Sequence, residues 1–442
     1  MELLGKKLYT ERNVDMTPYT ELNRAELEAL KENLLSAYNA FQEKKLILDM
    51  TRGKPSPEQL DLAMEMLTGE ISREYKAQSS VDCRNYGGLD GIKEAKELFA
   101  RYMEVADDEI IIGDSASLKM MHDTIMGAMV YGMVDSDQPW GKLPQIKFIC
   151  PSPGYDRHFA VCQYLGIEMI TVAMDENGPD MDRVEDLVAS DDAIKGMWCV
   201  PKYSNPTGIT YSDEVIDRLA SMETGAGDFK IFCDNAYAVH HLSDIHDPLK
   251  NLLAACKNAG NPERVFLYGS TSKISFAGAG VAMMAGSRKN IEFILSKMQF
   301  QTIGPNKLNQ LRHVLFFKDV AEVENHMKKH AAILKPKFDA VLDVLDQELG
   351  GSNIAEWSRP NGGYFISIDT LSGCAREVIK KAAAAGVKLT PAGATFPYGV
   401  DPADRNIRIA PSFPSAEDVE TAMRLVAICI QLVSIDKLLD GA

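Results

Sequence analysis

Apolar residues recur at helical spacing near the start of the chain. Leu22, Leu27, Leu30, Leu34, Leu35 and Phe41 predict an amphipathic helix within residues 18–44. A short strand, Leu46-Ile47-Leu48-Asp49-Met50, follows and ends in the turn-prone Arg52-Gly53-Lys54-Pro55. From about residue 85 the pattern changes to strands alternating with helices. Ile110-Ile111-Ile112, Phe148-Ile149-Cys150, Met197-Trp198-Cys199-Val200, Ile231-Phe232-Cys233, Val265-Phe266-Leu267 and Val281 to Ala285 are apolar without interruption. Residues 306–349 form a long helical region. Tyr364 to Ile368 and Ile407-Arg408-Ile409 read as strands, and residues 416–440 as a final helix.

Strands that are apolar on both faces belong to a sheet covered by helices on both sides, which predicts an α/β fold with a mostly parallel sheet. In such sheets ligands sit just beyond the carboxyl ends of the strands. The polar clusters of this chain fall at those positions. No repeat, low-complexity tract or flexible linker separates the two parts, so they are expected to pack closely.

Composition narrows the partners. A chain of 442 residues exceeds one small core, and 45% hydrophobic with 25% charged residues is ordinary for a globular protein. The formal net charge of −16 excludes a non-specific grip on nucleic acid or an anionic membrane and favours small substrates or other proteins. The eight cysteines contain no C-x-x-C pair, and several lie in apolar runs. They read as buried thiols in a reducing compartment, with no disulfide or metal framework. Met1-Glu2-Leu3-Leu4-Gly5-Lys6-Lys7 is too polar for a signal peptide, so a cytoplasmic location is expected.

The candidate chemistry centres on Ser270-Thr271-Ser272-Lys273, directly after the Val265 to Tyr268 run. A lysine delivered by a strand can form an imine with an aldehyde cofactor, while Ser270 and Ser272 bond its phosphate. The same Ser-x-x-Lys is also the nucleophile motif of serine acyl-transferring enzymes. Three further strand-end clusters stand in order around it: Ser204-Asn205-Pro206-Thr207-Gly208, Asp234-Asn235-Ala236-Tyr237 and Ile407-Arg408-Ile409-Ala410-Pro411-Ser412. Singly, each has a plain structural reading as a turn, a helix cap or an edge arginine. Together and in this order they argue for one site.

From Gly53 to Arg408 this set resembles the fold-type-I pyridoxal-phosphate enzymes of the class I/II aminotransferase superfamily. The resemblance implies a large domain with a mostly parallel seven-stranded sheet (residues 71–325) and a smaller α+β domain built from residues 1–70 and 326–442. It implies that Lys273 carries pyridoxal 5'-phosphate as an imine and then shuttles a proton. Asp234 would pair with the pyridine nitrogen, Asn205 and Tyr237 with the phenolic oxygen, and Tyr155 would stack on the ring. Ser115, Ala116, Ser117, Ser270 and Ser272 would hold the phosphate at a helix start. Tyr86 resembles a tyrosine donated across a homodimer to the neighbour's phosphate. Arg408 would take the substrate α-carboxylate through its planar fork, with Asn205 beside it and Gly53 lining the mouth.

One departure stands out. Relatives carry an arginine seven or eight residues beyond the lysine, whereas Ile274 to Val281 contains no cation. Lys307, in Thr302-Ile303-Gly304-Pro305-Asn306-Lys307, is the candidate replacement, from a segment that in such enzymes reaches the partner's cofactor. This departure, with Thr51-Arg52-Gly53-Lys54-Pro55, resembles a divergent bacterial branch close to aspartate aminotransferases. The order of Tyr203-Ser204-Asn205 and the lack of a later Lys-Thr-Gly argue against the serine enzymes. The expected reaction is ping-pong transamination between an amino acid, L-aspartate as first choice, and 2-oxoglutarate. Another amino donor or a lyase reaction on the same fold are the alternatives. Arg52, Lys54, Arg84, Arg157 and Arg312 are candidates for a distal carboxylate, with Arg52 preferred for its place beside Gly53.

Overall fold

The computed structural model describes residues 17–441. The polar segment Met1 to Lys7 lies outside the described residues. The first long helix is Arg24–Glu43. Asn23 caps it by accepting from Glu26 N, and the Glu26 side chain returns to Asn23 N. Its apolar face packs on the last helix, Ala416–Asp440, so the two ends of the chain share one core.

The central sheet runs Ile110–Ile112, Ala282–Gly286, Val265–Ser270, Lys230–Asp234, Ile194–Cys199, Lys147–Ser152, Glu168–Asp175 and Gly178–Pro179. Neighbours from Val265–Ser270 through Glu168–Asp175 pair in parallel. Ala282–Gly286 is antiparallel to both of its neighbours. Seven strands make the mostly parallel sheet expected, and a two-residue eighth, Gly178–Pro179, closes the edge as an antiparallel hairpin. Too short for any hydrophobic period, that eighth strand left no trace in the pattern. Glu168–Asp175 gives neither an unbroken apolar run nor a strict alternation, because only Met169 and Val172 are buried along it.

One apolar cluster fills each face of this sheet. A third fills the smaller part, where Ala355–Trp357, Ile366–Thr370 and Asn406–Ile409 form an antiparallel sheet. Leu48–Asp49, shorter than the expected strand, pairs in parallel with Val387–Lys388. The long helical region is two helices, Lys307–Phe317 and Val320–Leu349. Lys318 breaks it with a φ of 60°, and Asp319 then caps the second helix through Glu322 N. Among the described residues no helix is long and apolar enough to cross a membrane.

The strand order reverses between Lys147–Ser152 and Ile194–Cys199. A crevice opens outside the carboxyl ends of strands at such a reversal. Val200, Tyr203 and Tyr237, all from strand-end loops, belong to the core of the smaller part. The crevice therefore lies at the joint of the two parts.

Candidate active site

Asp234 is the last residue of its strand and is buried. Its Oδ2 lies 3.2 Å from His158 Nε2, whose ring stacks on Trp198 at 4.1 Å between centroids. Its Oδ1 is buried and has no hydrogen-bond partner. A buried carboxylate oxygen without a donor is costly, so this atom is an acceptor waiting for one. Tyr155 caps the start of the helix Asp156–Tyr164 and meets His158 edge to face. Burial, with Asp234 nearby, pushes the Tyr155 phenol up to about 12.

Lys273 follows the strand Val265–Ser270, and its Nζ stands 4.8 Å from the centre of the Tyr237 ring and 5.9 Å from that of Tyr364. Burial lowers the lysine's affinity for a proton, and Asp234 partly opposes this. Burial raises the Tyr237 phenol well above its usual range, with Tyr155 and Asp234 adding to the effect. A lysine that sheds its proton more readily is a better nucleophile and base.

The turn that carries Lys273 is braced from below. His240 Nε2 donates to Lys273 O at 3.3 Å. His313 donates from Nδ1 to Asn309 O at 2.8 Å, and its Nε2 faces the hydroxyls of Thr271 at 3.0 Å and Ser275 at 2.8 Å. Burial drops the His313 pKa to about 4. The folded protein therefore keeps this ring neutral while an unfolded chain takes up a proton near pH 6.5. Stability should fall as pH drops from about 6.5 towards 4, by up to about 3 kcal/mol from this residue. Urea midpoints measured between pH 7 and 4.5 should show the decline, and His313→Gln should make it shallower, with His240, His241, His326 and His330, which burial also disfavours in the charged form, supplying the rest. An equally steep decline in the variant would refute the assignment.

Arg408, on the strand Asn406–Ile409, is 7% exposed. Its NH1 donates to Asp156 Oδ1 at 3.0 Å and Asn205 Oδ1 at 3.2 Å, and its NH2 to Thr390 Oγ1 at 3.4 Å. Its Nε is buried without a partner. The Phe365 ring faces the guanidinium at 4.9 Å. A Cβ on Gly53 would lie 2.5 Å from that same ring, so only glycine permits the mouth loop this close.

The helix Ser117–Tyr131 begins at Ala116 with no side-chain cap and no acidic residue in its first turn. The helices starting at 65, 93, 156 and 375 also lack a side-chain cap, but each carries an acid in its first turn, so among the described α-helices this end is distinctive in having neither. Ser272 Oγ donates to Ser115 O at 3.0 Å, joining the lysine turn to this helix start. Open backbone N–H groups beside Ser115, Ser117, Ser270 and Ser272 suit a phosphate.

Other expected residues stand apart. Tyr86 is 83% exposed on the surface of its own chain. Lys307 is buried, and its Nζ donates to Gly87 O at 2.5 Å, in the loop that carries Tyr86. Asp114, one residue before Ser115, accepts from Asn306 N at 3.0 Å and ties this segment to the phosphate-type helix start. Arg52 is exposed beside Gly53. Lys54 sits 3.8 Å over the Phe413 ring, and Arg84 pairs with Asp82 at 2.6 Å. The sequence reading missed His158, Asp156, Thr390 and His240. His158 had one usable signal: it lies a single helical turn beyond Tyr155.

A half-buried lysine of lowered basicity, an unpaired carboxylate oxygen and an uncapped helix form the set of groups that pyridoxal phosphate requires. Fold and site together define a fold-type-I pyridoxal-phosphate-dependent aminotransferase. The chain belongs to the aspartate amino-transferase family, whose model matches residues 22–441. It is 45% identical over 403 residues to an aspartate aminotransferase of Corynebacterium glutamicum, covering 91% of this chain and 93% of that one. The crystal structure of an aspartate transaminase from the same species superposes with a TM-score of 0.93 at 43% identity, covering 96% of this chain and 99% of the other. An α-aminoadipate aminotransferase of Thermus thermophilus shares the fold alone, with a TM-score of 0.71 at 20% identity over 90% of this chain and 94% of its own.

Proposed function

We propose that the protein transfers the amino group of L-aspartate to 2-oxoglutarate by a ping-pong cycle. The observation that carries the reading is the convergence of Lys273, the free oxygen of Asp234 and the buried fork of Arg408 on one crevice. Pyridoxal phosphate, when bound, supplies an electron sink for the carbanion left when the substrate Cα loses its proton. Lys273 would hold the cofactor and would take and return the substrate Cα proton at Nζ. Asp234 Oδ1 would accept from the pyridine nitrogen, while His158 holds the other oxygen in place. Asn205 and Tyr237 would serve the phenolic oxygen, and Tyr155 would cover the ring. Arg408 orients the α-carboxylate.

The choice of aspartate rests on the Corynebacterium glutamicum relatives and on Arg52, an exposed cation of the mouth loop whose side chain has no partner among the described residues. Arg52 would take the distal carboxylate. A homodimer fits the exposure of Tyr86, Phe300 and Ile303, because large apolar side chains in one region of a surface mark an interaction site. Gly304 packs on Gly87, which joins the Tyr86 loop to the Phe300–Ile303 segment. In that dimer Tyr86 would serve the neighbour's phosphate, and Lys307, buried on Gly87 O, would hold the Tyr86 loop in place.

A single-turnover panel of amino acids, followed by the loss of the cofactor's visible absorbance, tests the substrate. Aspartate and glutamate should convert the holoenzyme fastest. Arg52→Ala should lower kcat/KM for aspartate by about 10- to 100-fold, the worth of a charged hydrogen-bonded pair, and leave alanine nearly unchanged. Faster conversion by aromatic or alkyl amino acids would remove the dicarboxylate reading.

A further inference from the structure

A second cavity, of about 460 Å³, lies behind the strand ends that build the active site. Lys202, Asn235, His241 and Gly269 line it. Each is a near neighbour in sequence of a site residue. Lys202 shares a loop with Asn205, Asn235 follows Asp234, and Gly269 precedes Ser270. His241 follows His240, which donates to Lys273 O. The same stretches of backbone therefore form one wall of each cavity.

Lys202 is 8% exposed, and among the described residues its Nζ makes neither a hydrogen bond nor an ion pair. Burial lowers its affinity for a proton, and Asp247 and Glu104 oppose that shift. Asp247 is already engaged: its oxygens accept from Thr210 Oγ1 and from Asn361 Nδ2, both at 2.8 Å. Glu104 and Glu324 lie on the exposed rim. Asp247 and Glu104 favour the charge from nearby, but neither pairs directly with the ammonium, and a bound anion would supply the contact it lacks.

A second donor faces the cavity. Tyr203 Oη accepts from Asp247 N at 3.2 Å, and among the described residues His241 Nδ1, at 2.7 Å, is the acceptor its own hydrogen reaches. The proton of the neutral imidazole then sits on Nε2, which has no acceptor among the described residues. Burial and the nearby Lys202 keep this ring neutral, with its pKa lowered to about 4. Val239, Leu249 and Leu252 give the cavity an apolar side.

We propose that this cavity binds a small organic carboxylate, with its oxygens on Lys202 Nζ and His241 Nε2 and its apolar body against Val239, Leu249 and Leu252. The site is independent of which amino acid the enzyme transaminates. The probe is 4-methylpentanoate, titrated calorimetrically into holoenzyme carrying Arg408→Leu, which removes the carboxylate anchor of the active site. One saturable site per chain is expected. Adding Lys202→Met should weaken it by at least about tenfold, because a charge-assisted hydrogen bond is lost while the apolar stem stays. His241→Asn, which keeps an acceptor for Tyr203 Oη but removes the Nε2 donor, should weaken it several-fold and carries the test if the lysine variant does not fold. No saturable binding to the Arg408→Leu holoenzyme would overturn the proposal, as would unchanged affinity in a folded Lys202→Met or His241→Asn variant. Tighter binding of inorganic phosphate than of the acid would overturn the ligand class.

Discussion

Replacing Lys273 by alanine is expected to lower the rate of transamination on the order of 10⁴-fold or more, since covalent attachment and proton transfer are lost together. The amine stands between the Tyr237 and Tyr364 rings on a half-buried side chain, and its basicity is already reduced. Stability should hardly suffer, because the substitution removes a desolvated amine without orphaning a hydrogen-bond partner. Borohydride should fix the cofactor to the parent protein and fail to do so in the variant. Lys273→Arg should be nearly as inactive, because a guanidinium does not give up its proton near neutral pH. A Lys273→Ala protein that kept even one-hundredth of the parental kcat would refute the assignment.

Asp234→Ala carries the second large effect, a fall in kcat of about 10²- to 10³-fold, as expected when a buried charge-assisted hydrogen bond is lost. The reason lies in the two unequal oxygens. Oδ2 is held by His158, which is clamped on Trp198, and Oδ1 is left with no donor at all. A carboxylate fixed in this way meets a protonated ring nitrogen without rearranging. Asp234→Glu should retain more activity than alanine but less than the parent, because the longer side chain cannot keep both contacts. Comparable kcat values for the parent and Asp234→Ala, with cofactor bound to both, would show that this carboxylate does not tune the cofactor.

Much of this site was legible in the sequence because its parts sit at the ends of unbroken apolar runs. Cys233-Asp234 and Tyr268 to Lys273 announce both a buried strand and the polar group that it delivers. The pairing of Asp234 with Tyr268 in adjacent parallel strands then brings the carboxylate and the lysine turn to the same edge. Pattern reading failed where periodicity is absent or interrupted. The two-residue strand Gly178–Pro179 and the break at Lys318–Asp319 are local events of turn geometry and capping. It also failed for residues that act through others. His158 reaches Asp234 across 76 positions and Asp156 reaches Arg408 across 252, separations that no local motif encodes.

By itself, the sequence determined the α/β class, the order of the strand-end clusters and the identity of the groups able to do the chemistry. These depend on hydrophobic period and on side-chain type, both of which are written locally. Only the tertiary structure decided which hydrogen bonds those groups make and which they leave open. It left Asp234 Oδ1 without a donor and the helix at Ser117 without a cap. It also gave Arg408 an internal carboxylate and buried Lys202 beside a second cavity. Partners and vacancies of this kind arise from packing between segments hundreds of residues apart, where burial sets the cost of every unpaired polar atom.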